Sequence, residues 1–174
     1  MAIGSTINKV SLSIANMDSH YYATHELTVA QHPSENDFRL MVRLIAFIAN
    51  ANENLTFTKG LSTDDEPELW QKSLTGEIEL WIELGQPDEK RIRKACGRAQ
   101  QVIIYTYHEG KATVWWQQHG EKLARFKNLS IVHITASGVE ALAGRTMNLQ
   151  CNIQDGEMYL SDNDLNQIVN LKSY

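Results

Sequence analysis

Two glutamates frame the chemistry this chain could carry. Glu68 closes the acidic stretch Asp64-Asp65-Glu66-Pro67-Glu68, and Glu83 lies near the end of "EIELWIELG", residues 77–85. Carboxylates from a turn and from the strand after it can converge without being neighbours in sequence. A hard cation such as Mg²⁺ or Mn²⁺ takes one or two carboxylates, several waters and the oxygens of a phosphate substrate. Held so, it polarises a phosphoryl oxygen and supplies a bound water or hydroxide as nucleophile. Glu68 and Glu83 are therefore the expected metal ligands. The competing reading is plain: acidic turns are commonly solvated, and Glu77 and Glu79 follow the alternation of a strand surface.

The residues after Pro87 supply the opposite charge. Lys90, Arg91, Arg93, Lys94 and Arg98 crowd one segment, with Asp88 and Glu89 at its start. Acids there complement a helix macrodipole. Arg91, Lys94 and Arg98 are expected to form a local nucleic-acid-binding face beside the acidic strand end. The alternative is the solvated face of an ordinary amphipathic helix.

Other chemistries lack their signatures. There is no glycine-rich phosphate loop, nucleophile elbow, HExxH or paired-cysteine metal site, and the six histidines are scattered. Trp115 and Trp116 are adjacent, and core packing is their simplest role. A formal charge of −5 argues against bulk, non-specific binding of nucleic acid, though not against a local patch. Cys96 and Cys151 are too few for a disulfide scaffold, so free thiols in a reducing compartment are expected. MAIGSTINKV does not resemble a signal peptide, and the apolar segment at 40–51 is too short to span a membrane. A cytoplasmic protein with no membrane partner follows.

A chain of 174 residues predicts one domain over 1–174, long enough to bury about 70% of its unfolded surface. The alternations at 9–14 and 21–29, with a turn near Asn16–Ser19, predict a hairpin, in which His25 is a packed, hydrogen-bonded residue. Ser34 and Asp37 resemble a capping box, and Phe38, Met41, Ile45 and Ile48 lie on one face of the helix that follows. Arg39 and Arg43 read as a solvated stripe on its other face, with phosphate contact as the alternative. "LTFTKG" predicts a short strand ending at Gly60. On the strand around Glu83, Trp81 shares the glutamate's face and is expected to pack beside it. A helix over about 88–100 has Ile92, Ala95, Cys96 and Ala99 on one face, and "VIIYTY" suits a buried strand. Strand, helix and buried strand in that order signal parallel pairing. "HEGKATVWWQ" reads as a turn and a strand, with a helix starting near Thr113 as the alternative, then 117–127 as helix and "LSIVHI" as strand. Ser137 and Glu140 predict a capped short helix over 137–145, and Asp155-Gly156 the tip of a last hairpin.

"HPSE", "GLSTDDEPELW", "LWIELGQPDEKRIRKAC" and "RTMNLQCNIQDG" resemble the YaeQ family of bacterial proteins over nearly the whole chain. The resemblance implies a restriction-endonuclease-like PD-(D/E)xK fold: a core of αβββαβ type, with a mixed sheet flanked by helices and added N-terminal and C-terminal β-hairpins. No molecular function is established for that family as a whole. Carried over, Pro67-Glu68 is similar to the superfamily's "PD", and Glu83-Leu84-Gly85 to its "(D/E)xK", with Gly85 where the lysine would stand. The resemblance implies a Mg²⁺- or Mn²⁺-dependent phosphodiesterase or nuclease in which Glu68 and Glu83 are ligands assisted by Asp65. Gln86 would orient water or phosphate, and Lys90 or Lys94 would be the displaced basic group. The alternative is a non-catalytic binding or regulatory protein that keeps the scaffold.

Overall fold

The protein is described by a computed structural model covering residues 4–58 and 65–174. The expected strand end at Gly60 and the acidic Asp64 fall outside those residues. The chain divides into two compact units, Met1–Ile48 with Thr135–Leu171, and Ala49–Ile134 with Lys172–Tyr174.

In the first unit, β1 (Thr6–Asn16) and β2 (Tyr21–Gln31) form the expected antiparallel hairpin. A second hairpin joins β8 (Thr146–Gln154) to β9 (Glu157–Ser161). Asp155 and Gly156 at its tip have φ of 53° and 77°, the left-handed pair a type I′ turn requires. β10 (Asn166–Ser173), which the sequence reading did not include, pairs with β9, and β1 pairs in parallel with β8. The order is β2-β1-β8-β9-β10. Val10, Leu12 and Ile14 of β1 are buried, as alternation demands.

Helix α1 (Asp37–Ala49) buries every residue from Leu40 to Ile48. Its start differs from expectation: Asn36 Oδ1 accepts the Arg39 N–H at 2.8 Å, while Ser34 Oγ instead meets His32 Nδ1. Arg43 is not part of a solvated stripe. Its Nη2 lies 2.6 Å from Glu35 Oε1 and donates to the Ala30 carbonyl, and Arg39 Nη1 lies 2.5 Å from Glu35 Oε2. Glu35 and Arg43 are buried, so this carboxylate serves two guanidinium groups away from water. His25 is packed as expected, its Nε2 2.7 Å from the Tyr21 hydroxyl and its ring edge-on to Phe47. The segment after Ser137 is only a 3₁₀ helix, Val139–Leu142, entered through Gly138 at φ 86° with no side-chain cap.

The second unit holds the candidate site. Its strands are β3 (Leu55–Phe57), β4 (Leu69–Lys72), β5 (Ile78–Leu84), β6 (Ala99–Thr106) and β7 (Leu129–Thr135), adjacent in that order. The β3–β4 and β4–β5 pairs are antiparallel, and the β5–β6 and β6–β7 pairs parallel. Parallel neighbours need crossovers, supplied by α2 (Glu89–Arg98) and α3 (Glu109–Leu123). The strand expected within "HEGKATVWWQ" is therefore wrong, and the segment is the first half of α3. Ala112, Trp115, Gly120 and Leu123 are its buried residues, at helical spacing, and Trp116 is half-buried. Ile92 of α2, Ile104 of β6 and Ile131 of β7 form one cluster with Trp115 and Leu123, and Trp115 Nε1 donates to the Pro87 carbonyl at 3.0 Å. The fold is mixed α/β. Among the described residues, no helix is long and apolar enough to cross a membrane.

Candidate functional site

β5 brings Glu83 into the interior. Its residues Trp81 to Leu84 are buried, with β4 and β6 on either side of the strand and Ala95 of α2 packed in the cluster of Trp81. Trp81 and Glu83, two residues apart, point to the same side. The Trp81 indole N–H donates to Glu83 Oε1 at 2.8 Å, which realises the expected packing. Pro87 turns the chain into α2, whose N-terminus is capped by Asp88 Oδ1 on the Arg91 N–H. One turn into that helix, Arg91 reaches back to the strand end. Its Nε donates to Glu83 Oε1 at 2.9 Å, and its Nη2 lies at the same distance as an ion-pair contact, so that oxygen takes two N–H groups, from Arg91 and Trp81, beside the guanidinium charge.

Glu68 stands directly before β4. Its N–H donates to the Ile82 carbonyl at 3.0 Å, and the pairing of Leu69 with Ile82 sets Glu68 beside Glu83. Both glutamates are buried. Burial pushes the Glu83 carboxyl above its ordinary 4.5, outweighing Arg91 and the Trp81 N–H, which favour the anion. The charge of Glu68 pushes it up as well.

The remaining candidates separate into a second cluster and a periphery. Lys94 Nζ meets Asp65 Oδ1 at 2.7 Å, Arg98 Nη1 donates to the Asp65 carbonyl at 2.8 Å, and Arg91 Nη2 donates to the Glu66 carbonyl at 2.9 Å. Asp65 is exposed, and Lys94 with Arg98 and Arg91 holds its carboxyl below the usual range. Lys90 is exposed on α2. Gln86 is half-buried, and its Nε2 is buried with no hydrogen-bond partner among the described residues. Gly85 has φ 92°, a conformation suited to glycine, and its N–H donates to the Tyr105 carbonyl. Among the described residues, no group of three or more His, Cys, Asp or Glu is placed to hold a metal ion.

Sequence reasoning placed Glu68 beside Glu83 but missed Arg91 as the counter-ion of Glu83. The signal was the spacing: a proline that ends the strand and a basic residue one turn into the next helix return a cation to the strand end.

The model of the YaeQ protein family matches residues 1–171. The chain is 45% identical to the uncharacterized protein YaeQ of Escherichia coli K12 over 177 aligned positions, covering 100% of this chain and 98% of that protein. It is 47% identical to the protein of that name in Salmonella typhi, covering 93% and 91%. The crystal structure of YaeQ from Xanthomonas axonopodis pv. citri superposes with a TM-score of 0.93 at 41% identity, over 97% of each chain. That from Pseudomonas syringae gives 0.91 at 32%, over 97% and 95%. The chain belongs to the YaeQ family.

Proposed function

We propose that this chain is a non-catalytic binding protein on a PD-(D/E)xK nuclease-like scaffold, meeting nucleic acid through the basic face of α2. The scaffold reading is supported by the order α1, β3, β4, β5, α2, β6, with β5 and β6 parallel across α2. One observation carries the functional reading: the Arg91 guanidinium sits on the carboxylate that a nuclease would give to its metal. A dication at Glu83 would face that positive charge at contact distance. With two N–H groups and the guanidinium charge already on Oε1, the residues fit an ion pair better than a Mg²⁺ site. Gly85 adds to this, since its positive φ disfavours the side chain the superfamily motif places there. The exposed Lys90 and Arg93 and the outer ends of Lys94 and Arg98 would meet phosphates.

The adjacency of two buried glutamates favours a second reading, a metal-dependent phosphodiesterase in which Arg91 leaves Glu83 when ion and substrate arrive. Melting the protein in Mg²⁺ and in Mn²⁺ separates the two. At 100 times its Kd an ion that binds only the folded state contributes about 2.7 kcal/mol, an easily read shift. The binding-protein reading expects a flat response to both ions up to millimolar concentration. A rise that Glu83→Gln abolishes would install the phosphodiesterase instead.

A further inference from the structure

We propose that the Asp65–Glu66 turn is an internal competitor for the anion-binding face of α2, an autoinhibitory contact that a nucleic-acid strand must displace. The proposal rests on the reading of α2 as the nucleic-acid face. Arg91, Lys94 and Arg98 recur at i, i+3 and i+7, so they line one side of the helix. All three donate to the same two residues of the turn: the Asp65 carboxylate, the Asp65 carbonyl and the Glu66 carbonyl, at 2.7, 2.8 and 2.9 Å. These acceptors offer what a phosphodiester offers, an anionic oxygen with further oxygens close by. The turn thus occupies the cations in the manner of a bound strand.

The contact is graded along the helix. At its outer part the Lys94 and Asp65 side chains are 52% and 81% exposed, so their pair is solvated and exchanges easily. At the inner end Arg91 is 28% exposed and also held by Glu83. A strand competing for the face takes Lys94 and Arg98 from Asp65 first, while Arg91 keeps its place on Glu83. The acid is on the right residue for this, because Asp65 is exposed and contributes little to the core.

Anisotropy of a fluorescent 15-nucleotide oligo-dT at low salt tests this with the parent, Asp65→Ala, the pair Lys94→Gln/Arg98→Gln, and the triple variant. Loss of the competitor should tighten binding by about two- to five-fold, the equilibrium equivalent of one exposed ion pair. The gain should vanish when Lys94 and Arg98 are already replaced. Parent binding that Asp65→Ala leaves unchanged or weakens overturns the competitor and leaves the α2 reading standing. A gain that persists in the Lys94→Gln/Arg98→Gln background also overturns it, because the effect would then be general charge. No binding by the parent or by Asp65→Ala overturns the α2 reading and the competitor together.

Discussion

Arg91→Met removes the guanidinium while keeping most of the apolar stem, and leaves the Glu83 carboxylate in the interior with one N–H donor from Trp81. Breaking a buried pair by deleting one member costs about 3–5 kcal/mol. The Arg91 side chain is 28% exposed, so water screens part of the orphaned charge, and about 2–3 kcal/mol is expected at pH 7. That corresponds to roughly 4–12 °C in Tm for a chain of this size. Glu83→Gln behaves differently, because it keeps an acceptor for both donors and removes a charge that burial already disfavours. The raised pKa of Glu83 fixes the sign. Between the ordinary 4.5 and the higher folded value, the unfolded chain gives up this proton first, so stability contributed by Glu83 falls as pH rises through that window. Above it the anion carries its full cost. Glu83→Gln should therefore equal or exceed the parent at pH 7 and lose that advantage below the ordinary value of 4.5. In the Glu83→Gln background, Arg91→Met removes only neutral-acceptor hydrogen bonds, worth about 1 kcal/mol. Urea unfolding of the parent, both single variants and the double variant then gives a coupling of about 1–2 kcal/mol. An Arg91→Met cost that matches in the two backgrounds to within about 0.5 kcal/mol would refute the ion pair.

Two further outcomes follow from the same strand. Trp81→Ala should cost about 3–5 kcal/mol in urea unfolding, as a fully buried indole does, whereas Trp81→Phe loses mainly the N–H to Glu83 and should cost about 1–2 kcal/mol. A Trp81→Ala cost below about 1 kcal/mol would mean that this face is open to water. Gly85→Lys puts a lysine where the PD-(D/E)xK motif would carry one, at φ 92°, where an added Cβ meets nothing within 4 Å, so its main cost is backbone strain, about 1–2 kcal/mol. No cleavage of a plasmid or oligonucleotide in Mg²⁺ or Mn²⁺ should appear, because Arg91 still occupies Glu83.

The elements readable from the sequence are those whose period is local. Phe38, Met41, Ile45 and Ile48 mark α1 by spacing alone, and Asp155-Gly156 marks its hairpin because only a left-handed pair closes such a turn. α3 was less legible because Thr113, Val114, Trp115 and Trp116 favour strands intrinsically. What makes that segment helical is tertiary: β6 and β7 pair in parallel and the chain must cross between them. β10 is interleaved with polar residues, and what marks it as a strand is its pairing with β9. At the site, the nearness of Glu68 to Glu83 follows from one antiparallel register. The partners of the basic residues do not, because a guanidinium on a long stem is aimed by how the helix packs against the strand.

That difference bears on what the charges of α2 can do. Counted in sequence, its five Lys and Arg residues form a strongly positive segment. In the fold, Arg91 is held by Glu83, Lys94 by Asp65, and Glu89 of the same helix by Arg125. The three pairs are not equivalent. Lys94–Asp65 and Arg125–Glu89 have side chains exposed by 29–81%, so water already screens them and exchange of a partner costs little. Arg91–Glu83 joins a partly shielded guanidinium to a carboxylate only 7% exposed, and separating them strands that carboxylate. An arriving phosphate therefore does not meet a bare basic helix. On the binding-protein reading it would exchange with Asp65, while the inner Arg91–Glu83 pair would stay closed and hold Glu83 away from a metal. Recognition without cleavage is what the proposed reading expects from that order: the cations that would bind phosphate are the easiest to release, and the carboxylate that hydrolysis would need is the hardest.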